Sequence, residues 1–185
     1  RPVAGKSDLC ERFDEAIATV RYPKSLDDAA LRQMRTLKAR MENERLPRGT
    51  DPRRHLKLGP GGLSDVEWSV QLIQLRYGHG HPELRTTRTV EAIQAARALG
   101  FLDDAYASTL IEACRLATDL RGAIALRGKN ADGDVLPRDV RELGVLASIL
   151  GSDETGQELE QRYARTARRA RAVTERVFFG WEPGA

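Results

Sequence analysis

Apolar residues recur at three- and four-residue intervals along most of this chain, which is the spacing of one face of an α-helix. The first apolar stripe consists of Leu9, Phe13, Ile17 and Val20, and it ends at Tyr22-Pro23. Further stripes of the same kind follow, and no segment shows the sustained alternation of a β-strand. The pattern predicts an all-α fold, a helical bundle of about six to seven amphipathic helices.

Polar residues and glycines mark the expected helix ends. The expected start signals are Asp8, Ser25 with Asp28, Thr86 or Thr87, Asp103 and Pro137, and the expected stop signals are Gly100 and Gly151. The last helix is expected from about Asp153 to Phe179.

The third helix carries the strongest local signal. Ser64 and Glu67 have the spacing of a capping box, in which each side chain binds the backbone N–H of the other residue. Leu63 and Trp68 have the spacing of a hydrophobic staple. We therefore expect a helix from Asp65 to about Tyr77, with apolar residues on two sides.

Composition indicates a globular chain of one domain or one large helical unit, with 185 residues, 41% hydrophobic and 31% charged. The net charge of +3 does not by itself indicate a nucleic-acid partner. Cys10 and Cys114 lack metal-ligand spacing, and we expect reduced thiols in a cytoplasmic protein. The sequence shows no signal peptide and no apolar run that would span a membrane.

A glycine-rich loop, with Gly59, Gly61 and Gly62, precedes the third helix. Such a loop at a helix N-terminus can bind phosphate. Asp65 and Glu67 in the first turn disfavour phosphate unless a metal ion lies between them. Local signals leave two alternatives, a phosphate loop and a well-capped structural helix, and favour the second.

Two other polar pairs resemble metal sites. His79 and His81 lack a third ligand at useful spacing, so a solvated turn is favoured. Asp132 and Asp134 form the Asp-x-Asp pattern that holds magnesium in nucleotidyl transfer, but no Gly-Ser element precedes them and no strand carries them. We expect no metal ligands among them.

Two segments are rich in basic residues. Nine Lys or Arg residues face three acidic residues between Arg32 and Lys57. The last helix carries Arg162, Arg165, Arg168, Arg169, Arg171 and Arg176. A solvated face is favoured over a docking surface for phosphates or an acidic partner. No aromatic residues alternate with these arginines, so we do not expect nucleic acid.

Several stretches together resemble one enzyme family. They are Met34, Lys38 and Met41, the glycine-rich stretch 57–68, and the segments 71–76, 99–102, 134–137 and 143–151. This pattern resembles the bifunctional glutamine synthetase adenylyltransferase/adenylyl-removing enzymes, and residues 1–5 resemble the end of the preceding nucleotidyltransferase domain. The resemblance implies a domain boundary, with residues 1–25 as the end of that domain plus the first helix and residues 26–185 as the helical bundle.

The resemblance also implies a function. In that family one half attaches AMP from ATP to a tyrosine of glutamine synthetase with magnesium, and the other half removes it by phosphorolysis. This chain resembles the C-terminal helical domain of the adenylylating half, without the catalytic nucleotidyltransferase sheet. We expect no catalytic residue and no metal ligand within the chain, and magnesium to bind mainly outside it.

The expected partners are the preceding nucleotidyltransferase domain and glutamine synthetase. A PII signal protein is a further candidate partner. The residues expected to face the nucleotide are Lys57, Gly61, Gly62, Asp65 and Glu67. Two alternatives stay open, a docking module for glutamine synthetase or PII and the equivalent helical domain of a PII uridylyltransferase.

Overall fold

The computed structural model describes residues 7–128 and 133–180. These residues form seven α-helices: α1 (Ser7–Arg21), α2 (Asp28–Glu44), α3 (Leu63–Tyr77), α4 (Thr89–Ala98), α5 (Asp104–Leu126), α6 (Val140–Ile149) and α7 (Gly156–Thr174). Short 3₁₀ turns cover Pro52–Arg54 and Pro82–Leu84, and a π-helical turn, Glu175–Phe179, extends α7. Within these residues the one extended pairing is an isolated bridge between His55 and Val135. The prediction of an all-α bundle is confirmed.

Helices α5 and α7 form the centre of the bundle. Helix α7 packs against α3, α5 and α6, and α5 also packs against α3 and α4. Their facing sides are apolar and close together because leucine and alanine dominate them; Leu110, Leu120, Leu159 and Ala170 are fully buried. The period of the sequence thus matches the faces that are removed from water.

Helix α2 is attached through a second, smaller cluster. Leu31 of α2 packs with Leu72 of α3 and Phe178 of the π-helical turn. The ring of Trp68 meets that of Phe178 edge to face, with the centroids 5.7 Å apart. Ile73 lies in the main core, so α3 buries two sides, as its sequence predicts.

Helix α1 contributes little to either cluster. Leu9, Phe13 and Val20 of its apolar stripe are exposed, although the predicted helix itself is present. The stripe is therefore correctly read as helical, but these described residues do not bury it.

At two helices an aspartate caps the start in place of the expected residue. Asp27 caps α2 by accepting from the N–H of Ala30 at 2.6 Å, so Ser25 is not the cap. Asp139 caps α6 by accepting from the N–H of Arg141 at 2.7 Å, and Pro137 precedes the helix. In both cases a nearby aspartate is placed to accept a free helical N–H, and aspartate is a strong N-cap residue.

The remaining ends agree more closely. Asp103 caps α5, as expected. Gly100 and Gly151 follow α4 and α6 with φ of +76° and +67°, the left-handed conformation that favours glycine after a helix. The N-cap residue of α4 is Arg88 rather than a threonine, although the Thr86 hydroxyl accepts from the Arg88 N–H at 3.1 Å.

Candidate functional site at the glycine-rich corner

Backbone hydrogen bonds fold residues 55–64 into a tight corner before α3. The N–H of Gly62 donates to the carbonyl of Gly59 at 2.9 Å, and that of Leu63 donates to Leu56 at 3.0 Å. Outside the corner, Leu56 donates to the carbonyl of Asp134 at 2.7 Å. These bonds tie the corner to the loop before α6 and leave few of its backbone groups free.

Close backbone packing explains the glycines of the corner. Gly61 has a φ of +75°, and a Cβ there would overlap the carbonyl of Ala167 on α7. A Cβ at Gly62 would lie 2.6 Å from the carbonyl oxygen of Leu56. Gly61 and Gly62 are buried, so in these described residues their freedom serves contact with α7 and within the corner.

The start of α3 differs from the sequence prediction. The N-cap is Gly62, which has no side-chain cap, and Ser64 donates its N–H to the carbonyl of Lys57 at 2.9 Å. The predicted capping box of Ser64 with Glu67 is therefore wrong, because the folded corner already supplies the acceptor. Leu63 is the first helical residue, so the predicted staple with Trp68 is also wrong.

The capping box of this chain lies at α7 instead. The Thr155 hydroxyl accepts from the N–H of Glu158 at 3.3 Å, and the Glu158 carboxylate accepts from the Thr155 N–H at 2.8 Å. The Thr155 N–H and the Thr155 hydroxyl both donate to this carboxylate and hold the pKa of Glu158 below its usual range. The Thr-x-x-Glu spacing could have revealed this cap from the sequence.

Asp65 lies at the centre of a buried network of charges. Its side chain is 2% exposed and accepts from the Lys38 ammonium and from the N–H of Gly61, the latter at 2.7 Å. Arg171 of α7 donates to the same carboxylate at 3.2 Å and to Glu42 of α2 at 2.8 Å. The network joins α2, α3 and α7 at the glycine-rich corner.

Charge balance stabilises this network. Lys38 also donates to Glu42 at 2.7 Å, so two cations and two carboxylates face one another. Burial opposes the charge of Arg171, but Glu42, Asp65 and Glu175 outweigh it and raise its pKa. Burial likewise opposes the charge of Glu42, and hydrogen bonds from Arg171 and Lys38 lower its pKa overall. Asp65 thus orients two basic groups of the bundle itself.

Glu67 is also a residue of α3, but it is not part of that network. Within the described residues no hydrogen bond or ion pair engages its half-buried carboxylate. Burial raises the pKa of the Cys114 thiol, and the negative charge of Glu67 raises it further. Glu67 is therefore a carboxylate beside the core with its hydrogen-bonding capacity unused among these residues.

A cavity of about 360 Å³ opens beside Glu67. Arg21 and Tyr22 line it from the end of α1, and Thr86 lines it from the turn before α4. Gln71 of α3 adds an amide to the same wall. The cavity is polar on several sides and carries one carboxylate.

Lys57 lies at the opposite end of the corner. Its side chain is half-buried, and no described residue pairs with its ammonium. Of the five residues expected to face a nucleotide, Lys57 and Glu67 keep unused charged groups. Gly61, Gly62 and Asp65 are buried, and their contacts are with the corner and with the neighbouring helices.

The remaining polar pairs of the sequence do not form a metal centre among the described residues, where no cluster of three His, Cys, Asp or Glu side chains lies at metal-binding distance. Asp134 forms an ion pair with Arg121, and Asp132 lies outside the described residues. His81 packs edge to face on Phe101, and a ring nitrogen of His79 lies 3.3 Å from the Tyr22 carbonyl. His55, which sequence reasoning overlooked, is buried and accepts from the N–H groups of Lys57 and Leu58.

Many basic side chains are paired within the fold. Arg54 binds Glu160, Arg162 binds Glu154 at 2.9 Å, and Arg169 binds Glu112 at 2.8 Å. Arg165 and Arg168 are exposed. The basic segments are thus partly structural, and the free charge is less than the sequence alone indicates. No helix of the described chain is long and apolar enough to span a membrane.

Comparison with known proteins gives consistent results. The chain is 53% identical over 181 residues to the bifunctional glutamine synthetase adenylyltransferase/adenylyl-removing enzyme of Streptomyces coelicolor, covering 96% of this chain and 18% of that protein. The enzymes of the same name from Cutibacterium acnes and Mycolicibacterium smegmatis are 45% and 44% identical, covering 95% and 96% of this chain and 18% of each relative. The family described as GlnD PII-uridylyltransferase matches residues 31–178.

The chain belongs to the GlnD PII-uridylyltransferase family. Within the GlnD PII-uridylyltransferase family, its curated relatives carry the name of the bifunctional glutamine synthetase adenylyltransferase/adenylyl-removing enzymes, which confirms the resemblance noted in the sequence. The chain spans about 18% of the length of these relatives.

Proposed function

We propose that this chain is a helical domain of a longer cytoplasmic enzyme that transfers AMP from ATP to a tyrosine of glutamine synthetase, with removal of AMP by phosphorolysis in its other half. The observation that carries this proposal is the 53% identity over 181 residues to an enzyme of that name. The proposal assigns this chain to the adenylylating half as its C-terminal helical domain, as the resemblance in its sequence implies.

Magnesium and ATP belong to the rest of that enzyme in this proposal. The described residues offer no cluster of three metal-binding side chains, and the glycines of the corner are buried rather than open to a phosphate. Magnesium would neutralise charge on the phosphates when bound. The described residues of this chain would support the reaction by forming one wall of the active-site cleft of the full-length enzyme.

We assign two roles to the five residues that the sequence predicts to face the nucleotide. Lys57 and Glu67 have charged groups that no described residue engages, and they would face the nucleotide side of the cleft. Gly61, Gly62 and Asp65 would hold the corner rigid, because the glycines admit α7 and Asp65 binds Lys38 and Arg171.

Substitution of Glu67 tests this role in the full-length enzyme. Glu67→Gln keeps the shape and removes the charge, so we expect AMP transfer to glutamine synthetase to fall by about tenfold or more, in the range that positioned acid–base or orienting groups contribute. The matched control is Glu83→Gln, an exposed glutamate on a 3₁₀ turn. Unchanged transfer with unchanged thermal stability would exclude Glu67 from the active site.

The name of the matching family favours a second candidate, the helical domain of a PII uridylyltransferase. An assay that offers glutamine synthetase and PII as acceptors, each with ATP and with UTP, separates the two. AMP transfer to glutamine synthetase supports the first proposal, and UMP transfer to PII supports the second. If PII binds the full-length enzyme and receives neither AMP nor UMP, it is a regulatory partner rather than a substrate.

A further inference from the structure

Helix α1 exposes the apolar stripe that usually faces a protein core. Leu9 is 61% exposed, Phe13 is 58% exposed and Val20 is 79% exposed. Their spacing places them on one side of α1, because residues four and eleven positions apart share a helical face. Ile17, the fourth residue of the stripe, is half-buried. Large apolar side chains exposed together on one helix face are a feature of interaction surfaces.

The attachment of α1 to the bundle is concentrated at its C-terminal end. No hydrogen bond or ion pair links the described side chains of α1 to another element. Just beyond the helix, the ring of Tyr22 packs so closely on Gly78 that a Cβ there would lie 2.6 Å from it. The guanidinium of Arg85 lies 5.3 Å from the centre of the same ring. Tyr22 thus fixes the direction of α1 and leaves the stripe free.

The C-terminal end of α1 reaches the cavity beside Glu67. Arg21 and Tyr22, at the end of α1, form one wall of that cavity, and Glu67 forms part of another. The helix that carries the apolar stripe therefore ends beside a carboxylate without a described partner, although no residue of the stripe itself lines the cavity. One folded surface that packs its apolar groups on the stripe would also border the cavity, and Glu67 would then face the cleft between the two.

Building on the proposed function, we propose that the α1 stripe and the Glu67 cavity form the docking surface for the nucleotidyltransferase domain of the same polypeptide. The relatives contain the matched segment as only 18% of their length, so most of such a polypeptide lies outside these residues. The polar side of α1 argues against a membrane, because the helix carries four acidic residues and two basic ones and anionic lipid would repel it.

Hydrogen exchange of the full-length polypeptide tests this docking. In the wild type, the backbone amides of residues 9–20 should exchange slowly, because a covering domain protects α1. Leu9→Ser combined with Phe13→Ser should raise their exchange rate by about tenfold or more, since the apolar contact is lost. Slow exchange in the wild type that the double substitution leaves unchanged would overturn the proposal.

A matched double variant controls for helix propensity. Glu11→Ser combined with Glu15→Ser changes the opposite, polar side of α1, where both residues are exposed. Exchange should stay at the wild-type rate in this variant. An equal increase in both double variants would overturn the proposal, since it would show a loss of helix rather than of docking.

Two further outcomes are decisive. Protection of α1 that depends on protein concentration would identify a second copy as the occupant and overturn the proposal, whereas protection at all concentrations supports it. AMP transfer is measured on the same preparations. Transfer without protection of α1 would refute the docking alone, and protection without transfer to either acceptor would refute the proposed function alone.

Discussion

At the residue scale, the pairing of Lys38 with Asp65 governs the corner. The sequence shows a basic residue on one helix and an acid on another, 27 positions apart, and both look suited to solvent. In the structure each side chain is 2% exposed. No local pattern reveals such a pair, because the attraction exists only after α2 and α3 have packed.

Loss of one member should therefore be costly. Lys38→Met removes an ammonium from two carboxylates, and breaking a buried pair in this way is expected to cost about 3 kcal/mol in the free energy of unfolding. The measurement is urea denaturation of the chain, with the exposed Lys24→Met as control.

A second substitution separates lost charge balance from lost packing. In Lys38→Met combined with Asp65→Asn, the unpaired charge of Asp65 is also gone, so part of the lost stability should return. A double variant that is destabilised by the sum of the two single variants would contradict a direct interaction between Lys38 and Asp65.

The glycines show the same limit of sequence reasoning. Their clustering predicted a turn with unusual backbone freedom, and the φ of +75° at Gly61 agrees. The reason for Gly61 lies in Ala167 of α7, more than a hundred positions away in the chain. Sequence analysis could identify the corner, but not the helix that packs on it.

At the element scale, the helices themselves were largely predictable, and their caps only in part. The buried face of each helix carries apolar residues at a 3.6-residue period, and this period can be read from the sequence. A cap depends on the acceptors that the folded chain provides. At α3 the carbonyl of Lys57 takes the N–H of Ser64, which made the predicted capping box unnecessary.

Two substitutions of the same kind should therefore differ in effect. Thr155→Ala removes a cap that is present and should lower the free energy of unfolding by about 1 kcal/mol. Ser64→Ala removes a buried hydroxyl that caps no helical N–H, and it should cost less than Thr155→Ala. Urea denaturation of both variants makes the comparison, and an equal cost would contradict the assignment of the caps.

The effect of Thr155→Ala should also depend on pH. The pKa of Glu158 is lower in the folded chain than its ordinary value of 4.5, because Thr155 donates to its ionised form. Its stabilising contribution is present above the ordinary pKa and is lost as the pH falls through the lowered folded pKa. The variant keeps the Thr155 N–H and loses only the hydroxyl that donates to Glu158. The difference between Thr155→Ala and the wild type should thus be smaller at pH 3 than at pH 7, whereas a constant difference would exclude a stabilising bond from the Thr155 hydroxyl to the ionised Glu158.

At the scale of the whole molecule, the sequence identified the class of fold and could not identify the partner of α1. Leu9, Phe13 and Val20 have the period of a helix that packs, and the bundle leaves them exposed. In our proposal this apolar face is covered by another part of the same polypeptide, and the sequence of these residues cannot specify that surface. The boundary predicted at residue 25 has the same origin, and it stays a prediction.

Truncation tests that boundary. A chain of residues 21–185 lacks the exposed stripe and keeps Tyr22, so its melting temperature should lie within about 3 °C of that of the whole chain. A chain of residues 26–185 also loses the contact of Tyr22 with Gly78 and Arg85, and it should melt several degrees lower, roughly 2–4 °C for each 1 kcal/mol lost. That result would move the boundary from residue 25 to just before Tyr22, whereas equal melting temperatures of the two shorter chains would support residue 25. Circular dichroism gives both values. A fall of more than about 10 °C for residues 21–185 would mean that α1 supports the bundle, and the boundary would then lie before α1 rather than after it.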